Sequence, residues 1–154
     1  LSRFGGAFPG YPEPTAAVTA TAPAATAFAE AAALRRALAA DIPDRALLWT
    51  ELADTLGQQA EALWAAGDLA PLVALLDEAA DAAVRGIEGD PFSGPAHWVY
   101  LETLFRQSVA AADGQPYMEH ALDQAEWMHA QGMLGPDGGA TLEFLRAQLA
   151  AGGD

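Results

Sequence analysis

The sequence predicts an all-α protein made of antiparallel helical hairpins, with five or six helices. From about residue 24 onward, apolar residues recur every three or four positions, which is the spacing of one helix face. Turns rich in glycine and proline separate these segments. No segment alternates apolar and polar residues for long enough to favour a β-strand. We therefore predict a single α-helical domain over residues 24–151, a size that can hold a complete core.

The composition excludes several kinds of chemistry. The 154 residues include no cysteine, which rules out disulfides, thiolate metal sites and cysteine nucleophiles. All seven basic residues are arginines, and a chain without lysine cannot form a Schiff base or a Walker-type phosphate site. The formal net charge of −14 argues against binding to nucleic acid or to anionic membranes, because both depend on basic side chains.

Membrane and secretory segments are not expected either. Charged or amide side chains interrupt every apolar run before it reaches the roughly 18 residues of a membrane helix. The first residues lack the basic, apolar and small-residue sections of a signal peptide. The expected location is therefore cytoplasmic.

Residues 1–23 are predicted to form an extended arm or linker. Four prolines and three glycines prevent a continuous helix. The aromatic residues Phe4, Phe8 and Tyr11 are unusual for a plain linker, since disordered tails are poor in aromatics. Two interpretations stay open: the arm folds back on its own helical body, or it lies extended on another subunit.

The first two helices follow the arm. Residues 24–40 are expected to bury one apolar stripe, formed by Phe28, Ala31, Leu34 and Leu38, with Glu30, Arg35 and Arg36 pointing away from it. The segment 41–44 breaks this helix, and Asp44 is a candidate N-cap for the next, over residues 45–66. Gly57 in its middle predicts a bend or a close contact with another helix.

The third helix lies within Gly67–Asp90, which opens with a turn and ends at Gly89 and Asp90-Pro91. Its small residues Ala79, Ala83 and Gly86 would let a neighbouring helix approach closely. Three further helices are predicted over residues 95–111, 116–131 and 140–150, with a loop over 132–139.

Two of these hairpins echo each other. Trp49 is followed after three residues by Leu52, and Trp98 in the same way by Leu101. Ala79, Ala83, Gly86 and Pro91 complete the first unit; Phe105, Ala125, Gly132 and Pro136 belong to the second. Over residues 44–136 the chain resembles the tetratricopeptide family, although its units of 46–49 residues exceed the usual 34. The Gly67–Leu72 turn is similar to the long-turn repeats of this type that are common in actinobacterial proteins.

This resemblance implies a protein-binding scaffold whose ligand docks on the first helix of each hairpin. The exposed positions of those helices would then line the binding face: Thr50, Asp54, Gln58, Val99, Thr103 and Arg106. The arm residues Phe4, Phe8 and Tyr11 form a second candidate contact.

Candidate sites for chemistry are few. Glu126 and His129 form a Glu-x-x-His pair, the spacing found in di-iron helical bundles. Such a site needs a second pair, and neither His97 nor His120 has a glutamate three residues before it. The acidic residues Asp77, Glu78 and Asp81 fit a solvated surface. No cofactor and no catalytic residue is predicted.

The function that we expect from the sequence is non-catalytic: an interaction module or accessory subunit that binds a partner protein, in a homo- or hetero-oligomer. One alternative is a small helical enzyme or metal-binding protein that uses the acidic and histidine residues of the fifth helix. The other is a structural domain of a larger chain.

Overall fold

The computed structural model describes residues 22–152, and within them it consists of six α-helices without a β-strand. The helices are α1 Ala22–Asp41, α2 Ala46–Ala65, α3 Leu72–Gly89, α4 Gly94–Ala110, α5 Gln115–Ala130 and α6 Gly138–Gly152. A short 3₁₀ helix, Gly135–Asp137, precedes α6 inside the predicted loop. The all-α prediction is confirmed, and the helix boundaries lie within a few residues of those expected.

Each helix packs against the next along the chain, from α1 on α2 to α5 on α6. The most extensive of these contacts joins α2 and α3, and α2 also lies against α4. The molecule is therefore an array of helices in which each element buries its apolar face on its neighbours, as in a helical-repeat fold.

Left-handed glycines end the helices α2 and α5 in the same way. Gly67 has φ +79° and Gly132 has φ +73°, a region that glycine enters without steric cost. After α2, the N–H of Asp68 donates to the carbonyl of Leu63 at 2.9 Å. After α5, the N–H of Met133 donates to the carbonyl of Met128 at 2.9 Å. Both ends are Schellman motifs, which satisfy the last carbonyls of a helix.

The caps at the helix starts differ from the prediction. Asp44 is not the N-cap of α2: that position belongs to Arg45, whose side chain makes no capping hydrogen bond. At α4, the hydroxyl of Ser93 accepts a hydrogen bond from the N–H of Ala96 at 3.3 Å. Pro95 occupies the first turn of this helix, where its missing N–H leaves no helical bond unmade.

The expected orientation of α1 is wrong. Leu34 and Leu38 were predicted to face the core, but their side chains are 75% and 46% exposed. Instead, α1 turns a row of alanines toward α2, namely Ala25, Ala32 and Ala39. Alanine lets two helix backbones approach closely, and the arginines of α1 hold this rotation through bonds to the neighbouring helices.

Both arginines of α1 point toward the array rather than away from it. The Arg35 guanidinium donates to the carbonyl of Glu51 at 3.0 Å and to the hydroxyl of Thr55 at 2.7 Å, both on α2. Arg36 forms an ion pair with Glu78 on α3. The periodicity of apolar residues could not reveal these bonds, since they depend on which helices become neighbours.

Two clusters of buried residues form most of the core. The first, which we call the alanine core, consists of Ala32, Leu52, Ala53, Leu56, Ala79, Ala82 and Ala83. The second, the large-residue core, consists of Leu101, Leu104, Phe105, Met118, Ala121, Ala125, Met128, Leu134, Leu142 and Leu145. Ala79, Ala83 and Gly86 on α3 are all buried, which confirms their predicted place in a close helix contact. No helix among residues 22–152 has the length and apolar character to cross a membrane.

Candidate functional site

The helices α2 and α4, the first helices of the two predicted hairpins, meet along a polar seam. We define the α2–α4 seam by six residues: Asp54, Gln58, Glu61, Val99, Glu102 and Arg106. At its centre Gly57 carries no side chain, and a Cβ atom there would lie 2.6 Å from Nη1 of Arg106. Of the two features expected at Gly57, a bend or a close contact, the structure therefore has the close contact.

Arg106 occupies the middle of the seam and is buried, with 5% of its surface exposed. Its guanidinium forms an ion pair with Glu61 on α2 at 3.0 Å and another with Glu102 one turn earlier on α4. The prediction that Arg106 is an exposed position is wrong. A buried guanidinium is tolerated here because two carboxylates surround it.

Thr50 and Thr103 were also expected to be exposed, and this is wrong as well. Thr50 is 7% exposed and lies against Gly86 of α3, where a Cβ atom would come within 2.4 Å of its hydroxyl. Thr103 is fully buried, and its hydroxyl donates to the carbonyl of Val99 at 2.7 Å. Because α2 contacts α1, α3 and α4, fewer of its positions are exposed to solvent than would be exposed in an isolated hairpin.

The other predicted positions, Asp54, Gln58 and Val99, are half-buried. Asp54 and Gln58 share one face of α2 with Glu61, and the amide of Gln58 donates to Oδ2 of Asp54 at 2.9 Å. Burial raises the pKa of the Asp54 carboxyl, while the charges of Arg106 and Arg35 oppose that change. The seam thus presents a row of partly accessible acceptor groups in fixed positions.

The fifth-helix pair does not come together with further ligands. Glu126 forms an ion pair with Arg146 of α6 at 3.1 Å. The ring of His129 lies against Gly138, where a Cβ atom would be 2.5 Å from Nδ1. Across residues 22–152, no three histidine, aspartate or glutamate side chains are grouped so that they could hold a metal ion.

His97, at the start of α4, has a structural environment that sequence reasoning did not find. Its Nε2 donates to the carbonyl of Pro91 at 2.8 Å, and its Nδ1 accepts from the amide of Gln124 at 2.7 Å. These two hydrogen bonds fix the orientation of the imidazole ring. The ring of Trp127 covers it, with ring centroids 4.5 Å apart. His97 therefore ties the α3–α4 turn to α5.

The acidic residues of α3 lie at the surface, as expected for a solvated face. Asp77 and Asp81 are exposed, and Glu78 is partly exposed. Asp77 accepts a hydrogen bond from the amide of Gln107 on α4 at 2.9 Å. These carboxylates therefore contribute bonds between helices as well as charge.

A groove near the ends of α4, α5 and α6 is a second concave surface, which the sequence did not predict. It has a volume of about 820 Å³, and its apolar lining includes Phe105, Met118 and Phe144. The rings of Phe105 and Phe144 are tilted against each other with centroids 5.7 Å apart. The groove was missed because its lining residues come from three helices and lie together only once those helices have packed.

The arm residues Phe4, Phe8 and Tyr11 lie outside the described residues. Compared with protein-family models, curated proteins and solved structures, the chain matches none of them. The helical array and its surfaces are therefore the features that indicate a function.

Proposed function

We propose that this protein is a non-catalytic interaction module or accessory subunit that binds a partner protein in the cytoplasm. Its hairpins would act as tetratricopeptide-like repeats, with the α2–α4 seam as the binding face. The observation that carries this proposal is the row formed by Asp54, Gln58 and Glu61. These groups are partly accessible, and intramolecular bonds already hold Gln58 to Asp54 and Glu61 to Arg106.

Fixed side chains favour binding because their ordering entropy is not lost again when a partner arrives. A flexible surface glutamate or glutamine would lose about 0.5–1.5 kcal/mol on immobilisation. Here the helix α4 and the bonds within the seam have already restricted these side chains.

The charge of the seam indicates the chemistry of the partner. Asp54, Glu61 and Glu102 contribute three carboxylates, while Arg106 contributes one guanidinium. The whole chain carries a formal charge of −14. A partner surface with arginine or lysine side chains would therefore be attracted before contact and oriented on docking.

The proposal is tested by recovery of a bound protein from an extract of the source cells, using the immobilised full chain. We expect a double variant, Asp54→Asn with Gln58→Ala, to recover at least tenfold less of the partner. The matched control is Asp123→Asn with Gln131→Ala, which changes exposed residues at α5 and should leave recovery unchanged. The wild-type interaction should also weaken as salt rises.

Equal recovery by both double variants would contradict the assignment of the binding face. Metal analysis separates the proposal from the enzymatic alternative. Bound iron or zinc in stoichiometric amount, lost on Glu126→Ala, would replace the interaction module with a metal protein.

A further inference from the structure

The groove near the ends of α4, α5 and α6 combines an apolar lining with a single charged side chain. Its volume of about 820 Å³ lies within the range of small-molecule sites, about 300–1,000 Å³. Phe105 and Met118 are almost fully buried, and Val109, Phe144 and Leu149 are half-buried. All five side chains line the groove, so an apolar molecule placed there would be removed from water on several sides.

Asp113, in the turn between α4 and α5, supplies the charge. Of the described residues that line the groove, it alone has a charged side chain. Its Oδ1 accepts a hydrogen bond from the N–H of Gln115 at 3.2 Å. Gly114 packs directly on the end of α4, where a Cβ atom would collide with the carbonyl oxygen of Ser108. The turn is therefore held in place, and the exposed carboxylate of Asp113 is accessible to a ligand.

The electrostatics of the groove favour a cation over an anion. The helix α4 ends at Ala110, and the C-terminal end of a helix carries a partial negative charge. The N-terminal end of α5 carries the opposite partial charge, and the carboxylate of Asp113 already pairs with it through the N–H of Gln115. Because the whole chain has a formal charge of −14, an anion would be repelled, whereas a cation would be attracted.

We propose that this groove binds a small organic cation, a molecule with an apolar body and one ammonium group. The apolar body packs on Phe105, Met118 and Phe144, and the ammonium group pairs with the carboxylate of Asp113. A neutral apolar molecule gains nothing from that carboxylate, and a fatty acid is repelled by it. The site is separate from the α2–α4 seam, so it does not depend on the proposed partner protein.

Calorimetric titration of the full chain at pH 7 tests the ligand class with decylamine, decanol and decanoate. These probes share one alkyl chain and differ in charge. We expect decylamine to bind about fivefold more tightly than decanol, and decanoate to bind most weakly. Asp113→Asn keeps an acceptor for the N–H of Gln115. It should lower the affinity for decylamine to that for decanol and leave decanol unchanged.

The matched control is Asp123→Asn, which removes the same charge from an exposed position of α5 outside the groove. It should leave all three affinities unchanged. Equal weakening of decylamine by the two aspartate variants would overturn the proposal, because it would show a general attraction to an acidic chain. Decanoate that binds as tightly as decylamine, or decylamine that does not bind at millimolar concentration, would overturn it as well.

The methionines of the chain report where the probe binds. There are three of them, and Met118 lines the groove, whereas Met128 and Met133 do not. In NMR spectra of the protein with labelled methionine methyl groups, decylamine should shift the signal of Met118 and leave the other two in place. Equal shifts of all three signals, or an unchanged Met118 signal, would contradict binding in this groove.

Discussion

The two halves of the array pack their helices with side chains of different size. Between α1, α2 and α3, the alanine core brings backbones close together, and Gly86 and Gly89 lie directly against Thr50 and Ala46. Between α4, α5 and α6, the large-residue core consists mainly of leucine, methionine and phenylalanine side chains. The stability of the first half depends on small residues that fit closely together. The stability of the second half depends on large side chains that fill the space between its helices.

This difference indicates how each half responds to a change of side-chain volume in its core. Methionine is flexible and fills irregular space, so the large-residue core can rearrange around a lost side chain. Alanines in contact have no rotamers to change, and the helices that carry them must move as whole bodies. We therefore expect the first half to respond more strongly to changes in volume, in either direction.

The largest expected effect comes from a leucine truncation in each core. Leu56 and Leu145 are both fully buried. Leu56→Ala should lower the free energy of unfolding by about 4–5 kcal/mol, because the surrounding alanines cannot fill the cavity. Leu145→Ala should cost about 2–3 kcal/mol, since Met118 and Met128 belong to the same core. Urea unfolding measures both; a larger loss for Leu145→Ala would reverse the comparison.

The seam that joins the two halves gives the next effect. Arg106→Met should cost about 3 kcal/mol, because it leaves the carboxylates of Glu61 and Glu102 beside each other without the guanidinium. Changing both to glutamine in the Arg106→Met background should recover part of that loss. The matched control is Arg146→Met, which breaks an exposed pair with Glu126 and should change stability by less than about 1 kcal/mol. Equal losses from the two arginine variants would show that burial of the seam does not matter.

Adding a single methyl group at either of two glycines should change stability by a smaller amount. Stability should fall at one glycine and rise at the other. Gly86→Ala should lower stability by about 1–2 kcal/mol, since its Cβ would meet Thr50 at 2.4 Å and force α3 away from α2. Gly139→Ala, in the first turn of α6, meets no atom within 4 Å and should raise stability by about 0.5 kcal/mol. Calorimetric melting of both variants checks the signs, and a stabilised Gly86→Ala protein would show that the α2–α3 contact can open without loss.

The smallest effect concerns Asp54. Burial raises the pKa of its carboxyl above the ordinary value of 3.8. Above the folded-state pKa, the carboxylate is charged in both states, and the folded state bears the desolvation penalty. As the pH falls through that pKa toward 3.8, the folded protein takes up the proton first and the penalty disappears. Asp54→Asn, which keeps an acceptor for Gln58, should therefore raise stability at pH 7 by about 0.5 kcal/mol.

The advantage of Asp54→Asn over the wild type should shrink as the pH approaches 4. Parallel melting curves from pH 7 to pH 4 measure this difference, and other titrating groups cancel between the two proteins. A difference that grows on acidification would contradict the raised pKa.

The sequence predicted the helices and most of their buried faces, but it assigned the wrong inward side to α1. Leu34 and Leu38 share a stripe with Phe28 and Ala31, and the pattern gave no reason to prefer the alanine row. The choice depends on how closely α2 approaches and on the bonds that Arg35 and Arg36 make there. Arg106 shows the same limit, because a charged residue on a helix is usually exposed until a second helix covers it.

Two of the helix ends were predictable from residue type alone. Gly67 and Gly132 mark helix ends because left-handed backbone favours glycine at any such position, whatever lies nearby. Asp44 was a reasonable cap by residue type, yet α2 begins one residue later than its side chain would require. The groove between α4, α5 and α6 had no signal in the sequence, since residues from Phe105 to Leu149 converge only after folding.

The sequence by itself determined the helical class, the approximate bounds of the helices and the positions of their turns, because those follow from local spacing and backbone preference. The absence of cysteine and lysine excluded whole classes of chemistry in the same way. The tertiary structure alone decided that Thr50, Thr103 and Arg106 are buried and that Leu34 is exposed. These outcomes depend on the distance and rotation at which two helices pack. The packing energy comes from residues that are far apart in the chain.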